Sequence, residues 1–195
     1  MTLPTDPAAI ALFGTSADPP TRGHRALLEG LLALYPRVVT WASDNPLKQH
    51  AAPLELRAAL LGALVDAISD PRLSLEQELS SPWTIETLDK ARRRWPGQAL
   101  VFVVGSDLAA QIPRWKDASQ VLSQCVLAIA PRQGWPLHEA SLMALRDLGA
   151  RVEVLPLTIA ASASSRIRDR PDPAEVPAEL WPVLLQHNPY GLPQP

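Results

Sequence analysis

AIALFGTSADPPTRGHRALLEGLLALY, residues 9–35, decides the fold. It opens on a short apolar run of strand length, AIALFG, and closes on RALLEGLLALY, whose apolar residues recur at helical spacing. Between them lies GTSADPPTRGH (14–24), a polar loop with two adjacent prolines. Strand, polar loop and amphipathic helix in that order form the first half of a β-α-β unit, so the next strand should lie parallel to the first.

Working outward, the alternation continues. RVVTWAS (37–43), RLSLEQE (72–78), ALVFVVG (99–105), CVLAIAP (125–131) and VEVLPL (152–157) read as strands. LELRAALLGALVDAI (54–68), TIETLDKARRRW (84–95) and LHEASLMALRDLG (137–149) read as helices, with a polar stretch around DLAAQIPRW (107–115). Parallel strands need crossover connections, so this order predicts an α/β fold: a Rossmann-like, doubly wound, mostly parallel sheet of five or six strands. PDPAEVP (171–177) reads as a stiff linker to ELWPVLLQH (179–187), a small helical tail within a single expected domain, 1–195.

The 195 residues suffice for one compact α/β domain with a substantial core. A net charge of −2 gives no global basic field, so nucleic acid is not an expected partner. No apolar run reaches the length of a membrane span, and the first residues lack the basic start of a signal peptide. The single cysteine, Cys125, excludes an internal disulfide and suits a reducing compartment, so a cytoplasmic setting is expected. The 21 prolines are scattered as loop punctuation, and Arg92, Arg93 and Arg94 read as a solvated helix face.

Sheets of this kind bind ligands beyond the carboxyl ends of their strands, which directs attention to the polar residues there. After the first strand, Gly14 permits close backbone approach, and Thr21 and His24 share one side of the entering helical turn, where N–H groups and a positive dipole end favour phosphate. A histidine there adds a donor that can become charged beside a polyphosphate. Near the other end, SASSRIR (162–168) places Ser164 and Ser165 at a helix start and Arg168 one turn on, a second anion cradle. Taken singly, each motif reads more plainly as turn and cap residues with solvated side chains.

Taken together, GTSADPPTRGH and ASSRIR resemble the nucleotidyltransferase patterns G-G-T-F-D-P-x-H-x-G-H and I-S-S-T-x-I-R. More narrowly, the chain resembles the bacterial nicotinate-mononucleotide adenylyltransferases. Asn45-Pro46-Leu47-Lys48 stands where that family has P-P-H-K, and Trp83-Thr84-Ile85-Glu86-Thr87-Leu88 is similar to Y-T-x-D-T-L. Gly105-Ser106-Asp107-Leu108 with Trp115 is similar to G-x-D-x-L and its later tryptophan, and VPAELWPVLLQHNPYGL to the closing V-x-x-Y-I-x-x-H-x-L-Y. The likeness spans nearly the whole chain. It departs at Thr15 for the second glycine, Ala17 for the aromatic, Thr21 for the first histidine, Leu47 for a histidine and Ala163 for a serine.

The resemblance implies that a mononucleotide phosphate attacks the α-phosphorus of ATP and that pyrophosphate leaves. The nucleophile is already an anion, so the protein supplies alignment and charge stabilisation. It places His24, Thr21 and Arg168 in catalysis. Gly14, Thr15, Ser16, Gly105, Asp107, Ser164 and Ser165 join them at ATP, and Lys48, Thr84, Thr87 and Trp115 at the pyridine mononucleotide. Asp107 reads equally as a helix-start acid until the resemblance favours a ribose contact, and Trp83 reads as rim packing as readily as ring stacking. Mg²⁺ is expected to arrive with ATP. Nicotinate is expected over nicotinamide, and self-association is left open. The other readings are an adenylyltransferase for phosphopantetheine or a sugar phosphate, and a nucleotide-binding module without turnover.

Overall fold

The structure is a computed structural model that describes residues 8–46, 48–159 and 164–193. Six parallel strands are present: β1 (Ile10–Thr15), β2 (Arg37–Ala42), β3 (Leu73–Leu75), β4 (Leu100–Gly105), β5 (Val126–Ala130) and β6 (Arg151–Val154), in the order β3-β2-β1-β4-β5-β6. The chain order reverses between β1 and β4. Their carboxyl ends, at Thr15 and Gly105, therefore diverge into a crevice at the switch point.

The helices are α1 (Arg22–Leu34), α2 (Leu54–Ile68), α3 (Thr84–Arg94), α4 (Ala118–Ser123), α5 (Glu139–Asp147), α6 (Ser164–Asp169) and α7 (Trp181–Leu184). The strand period of two sorts the core into two layers. On one face Ala11, Phe13, Val101, Val103, Ala128 and Ala130 pack with Leu27, Leu28 and Leu31 of α1, Leu60, Leu61 and Leu64 of α2, and Ile167 of α6. On the other, Ile10, Leu12, Phe102, Val104, Leu127 and Ile129 meet Leu88 of α3, Val121 and Leu122 of α4, and Leu142 and Leu145 of α5. The tail joins the first layer through Leu180, Leu184, Tyr190 and Leu192, which brings the end of the chain back to the β1 loop.

The alternation read from the sequence is the one observed. An addition is α4, a short helix entered through Asp117 at φ 54, whose six residues are too few for periodicity to declare. Among the described residues no helix is long and apolar enough to cross a membrane.

Candidate functional site

Asp18 organises the loop after β1. Its side chain is fully buried and accepts from Ala51 N–H (2.8 Å), Ala52 N–H (3.2 Å) and the Tyr190 hydroxyl (3.0 Å). His50 Nδ1 lies 3.5 Å and Arg168 Nη1 3.6 Å from the same carboxylate. Arg57 of α2, 1% exposed, pins the loop from beneath by donating to Ser16 O (2.7 Å), Ser43 O (2.9 Å) and Ala52 O (3.1 Å). Burial pushes its pKa down and Asp18 opposes that, so each charge depends on the other. Burial and Asp18 likewise raise the Tyr190 phenol well above its ordinary value.

The late motif docks on this loop. Ser164 Oγ donates to Pro19 O (2.7 Å) and Arg168 Nη1 to Asp18 O (2.6 Å), while Ile167 is buried beneath them. Segments nearly 150 residues apart in sequence thus form one surface at the carboxyl end of β1. Ser165 is exposed on it. The Leu47 and Ala163 departures lie outside the described residues.

His24 sits in the first turn of α1. Thr21 N–H donates to its Nδ1 (3.0 Å), and an amide nitrogen can only donate, so the ring proton belongs to Nε2, which lies 2.8 Å from Thr15 Oγ1. Burial, then Arg132, lowers the imidazole pKa from 6.5 to about 4. Without a polyphosphate beside it the histidine is neutral, because protonating Nδ1 would set N–H against N–H. A histidine held low favours the fold fully above pH 6.5 and loses that contribution as pH falls toward about 4, a loss of up to about 3 kcal/mol. Titrated by NMR, the His24 ring should keep its Nε2–H tautomer down to about pH 5. A midpoint above 6 would contradict the arrangement.

Other expected residues fall less directly into place. Thr21, expected to donate to phosphate, is fully buried, and its hydroxyl lies 2.9 Å from His24 Nδ1. Gly14 was expected to admit a ligand. A side chain there would meet the Trp41 indole at 2.5 Å, so the glycine makes room for Trp41. Thr87, expected at the substrate, is 3% exposed and its hydroxyl turns back to Trp83 O, whereas Thr84, at the start of α3, is half-buried. Trp115 is half-buried, edge-on to Phe102 at 6.2 Å, and Phe102 is 6.3 Å from Trp41, an aromatic row running back toward Gly14. Lys116 lies over the ring of Trp83 at 5.3 Å.

Across the crevice, Asp107 stands on the turn after β4, where a side chain on Gly105 would strike its carboxylate at 2.3 Å. Asp107 pairs with Arg132 Nη1 at 3.0 Å. Arg132 was not anticipated, although it lies two residues past the end of β5, so the rule of reading the residues beyond each strand could have found it. Ser106 latches its loop by accepting from Arg132 N–H (3.0 Å) and donating to Trp135 O (2.6 Å). Lys48 is exposed. Reduced hydration lowers its pKa first, Asp107 counteracts, and Arg132 and Arg168 lower it further. A cleft of about 630 Å³ beside α6 is lined by Trp135, Ser165, Arg166, Asp169 and Arg170, among others. Another of about 420 Å³ lies at the amino ends of the strands, by Ile10, Arg37 and Trp95, away from all these loops. Arg92, Arg93 and Arg94 are exposed as expected, and Arg94 pairs with Glu76 (2.7 Å) and Glu78 (2.9 Å).

Comparison with known proteins bears on the same surface. The cytidylyltransferase-like family description matches residues 12–170, from β1 through α6. A Synechocystis protein named a probable nicotinate-nucleotide adenylyltransferase is 36% identical over 85% of this chain and 94% of its own length. A Bradyrhizobium protein of the same name is 32% identical over 86% of each. Among solved structures, Plasmodium falciparum nicotinic acid mononucleotide adenylyltransferase complexed with NaAD superposes with a TM-score of 0.75 at 16% identity, over 95% of this chain and 98% of that one. At that identity the superposition speaks to the fold.

Proposed function

Because the chain belongs to the cytidylyltransferase-like family and, within it, to the nicotinate-nucleotide adenylyltransferases, we propose that it transfers the adenylyl group of ATP to nicotinate mononucleotide, giving deamido-NAD and pyrophosphate. The observation that carries this reading is the docking of α6 onto the β1 loop through Ser164 and Arg168, the loop that leads into the helix bearing His24.

The mononucleotide phosphate is the nucleophile and carries its own negative charge, so no residue has to remove a proton from it. What the reaction demands is alignment of that oxygen with the α-phosphorus and stabilisation of charge moving onto the leaving pyrophosphate. Hydroxyls at the loop, oriented by a neutral imidazole held in one tautomer, and Arg168 at the far end are donors of the required sign. Lys48 and Arg132, converging from the β2 and β5 loops, offset the repulsion between two anionic substrates. Asp107 takes a ribose hydroxyl and Trp115 offers a flat wall to the pyridine ring. Thr21 acts by holding His24. Magnesium would arrive with ATP and would neutralise charge on its phosphates. The hydroxyls and cations at this site suit the phosphates that carry it. Cys125, buried with its thiol raised to about 11, fits a cytoplasmic setting.

Pyrophosphate release from ATP with nicotinate mononucleotide, nicotinamide mononucleotide and phosphopantetheine as parallel acceptors tests this. Release dependent on a pyridine mononucleotide, fastest with the acid, is expected. Release with phosphopantetheine alone would keep the ATP site and overturn the acceptor, and nucleotide binding without release from any acceptor would leave a binding module.

A further inference from the structure

We propose that the Thr15 hydroxyl is itself a phosphate-contacting group, through which His24 acts on the nucleotide. This rests on the adenylyl-transfer reading and goes beyond it. A hydroxyl has one proton to give and two lone pairs to accept with. At Thr15 both lone pairs are committed, one to His24 Nε2–H at 2.8 Å and one to Ala17 N–H at 3.3 Å. The proton must therefore point elsewhere, and among the described residues nothing accepts it.

The direction of polarity in this chain is set by the backbone. Thr21 N–H fixes Nδ1 as an acceptor, so Nε2 must donate, so Thr15 Oγ1 must accept and its own proton must be offered outward. Thr15 is partly exposed at the last position of β1, on the crevice beside β4, and its carbonyl is held by Ser43 N–H at 2.7 Å. A donor so aimed, polarised by two donors behind it, suits an anionic oxygen of a nucleoside polyphosphate. Thr15 thus supplies a donor where the family pattern has a glycine, and a ring that would otherwise face the ligand faces a side chain that relays it.

The test uses Thr15→Val, which keeps the shape and removes the hydroxyl, and Thr15→Ser, which keeps the hydroxyl, in the pyrophosphate-release assay with wild type alongside. Loss of a preorganised donor to the transition state predicts a fall in kcat of about 10²–10³ for Thr15→Val, at least as large as for His24→Ala, with the KM for ATP little changed. Thr15→Ser should recover most of that loss. Combined with His24→Ala, Thr15→Val should add little further, because the two residues act in series. Thermal unfolding of each variant separates a relay from misfolding, and Thr15→Ala replaces the valine variant if that one does not fold. A valine variant within threefold of wild type, a serine variant as slow as valine, or additive losses in the double variant would overturn the relay. Silence of the wild type itself would instead overturn the reaction on which it rests.

Discussion

His24→Ala is expected to lower kcat by about 10²–10³, the usual range for removing one preorganised donor from a transition state. The ring is fixed on both nitrogens, by Thr21 N–H at 3.0 Å and Thr15 Oγ1 at 2.8 Å, so the Thr15 hydroxyl that it orients is aimed before substrate arrives and costs no reorganisation during reaction. ATP affinity should change much less, because the interaction strengthens as charge develops on the phosphates. His24→Gln, whose amide can donate but cannot also accept at Nδ1's position with the same geometry, should fall between. A change below about threefold in His24→Ala, read by steady-state pyrophosphate release, would remove the imidazole from the chemistry.

Asp18→Ala should be the most damaging single change for stability, about 3–5 kcal/mol, or a fall in Tm of roughly 10 °C. The carboxylate is fully buried, and its removal leaves the N–H groups of Ala51 and Ala52 and the Tyr190 hydroxyl without their acceptor. It also strips buried Arg57 of its nearest opposing charge. Activity should fall with it, because Arg168 is held by the same residue. Urea unfolding monitored by tryptophan fluorescence measures the loss, and a cost below about 1 kcal/mol would show that the loop is held by other means.

These two residues also mark how far the sequence could be read. The strand and helix order was legible because short apolar runs such as IALFG, LVFVV and VLAIA alternate with longer, apolar-rich helical segments. His24, Ser164 and Arg168 could be placed because they follow strands, and the topology then brings strand ends together. The role of Asp18 was not legible. In its own segment it reads as a turn residue, and its partners lie 33, 34 and 172 positions away, brought together only by tertiary packing. Arg57 was hidden similarly, as one of three charged residues in an otherwise apolar helix, whose burial no local pattern announces. Thr21 was assigned to phosphate because its position, not its burial, was visible. The need for Gly14 was legible, but the reason was not, since it depends on the Trp41 indole from the neighbouring strand.

Attack by the mononucleotide's own phosphate on the α-phosphorus of ATP can be followed by running the reaction with nicotinate mononucleotide whose phosphate oxygens carry a heavy-oxygen label. Mass analysis should find a dinucleotide that retains the label and pyrophosphate that carries none. Label in the pyrophosphate, or consumption of ATP without a labelled dinucleotide, would contradict it.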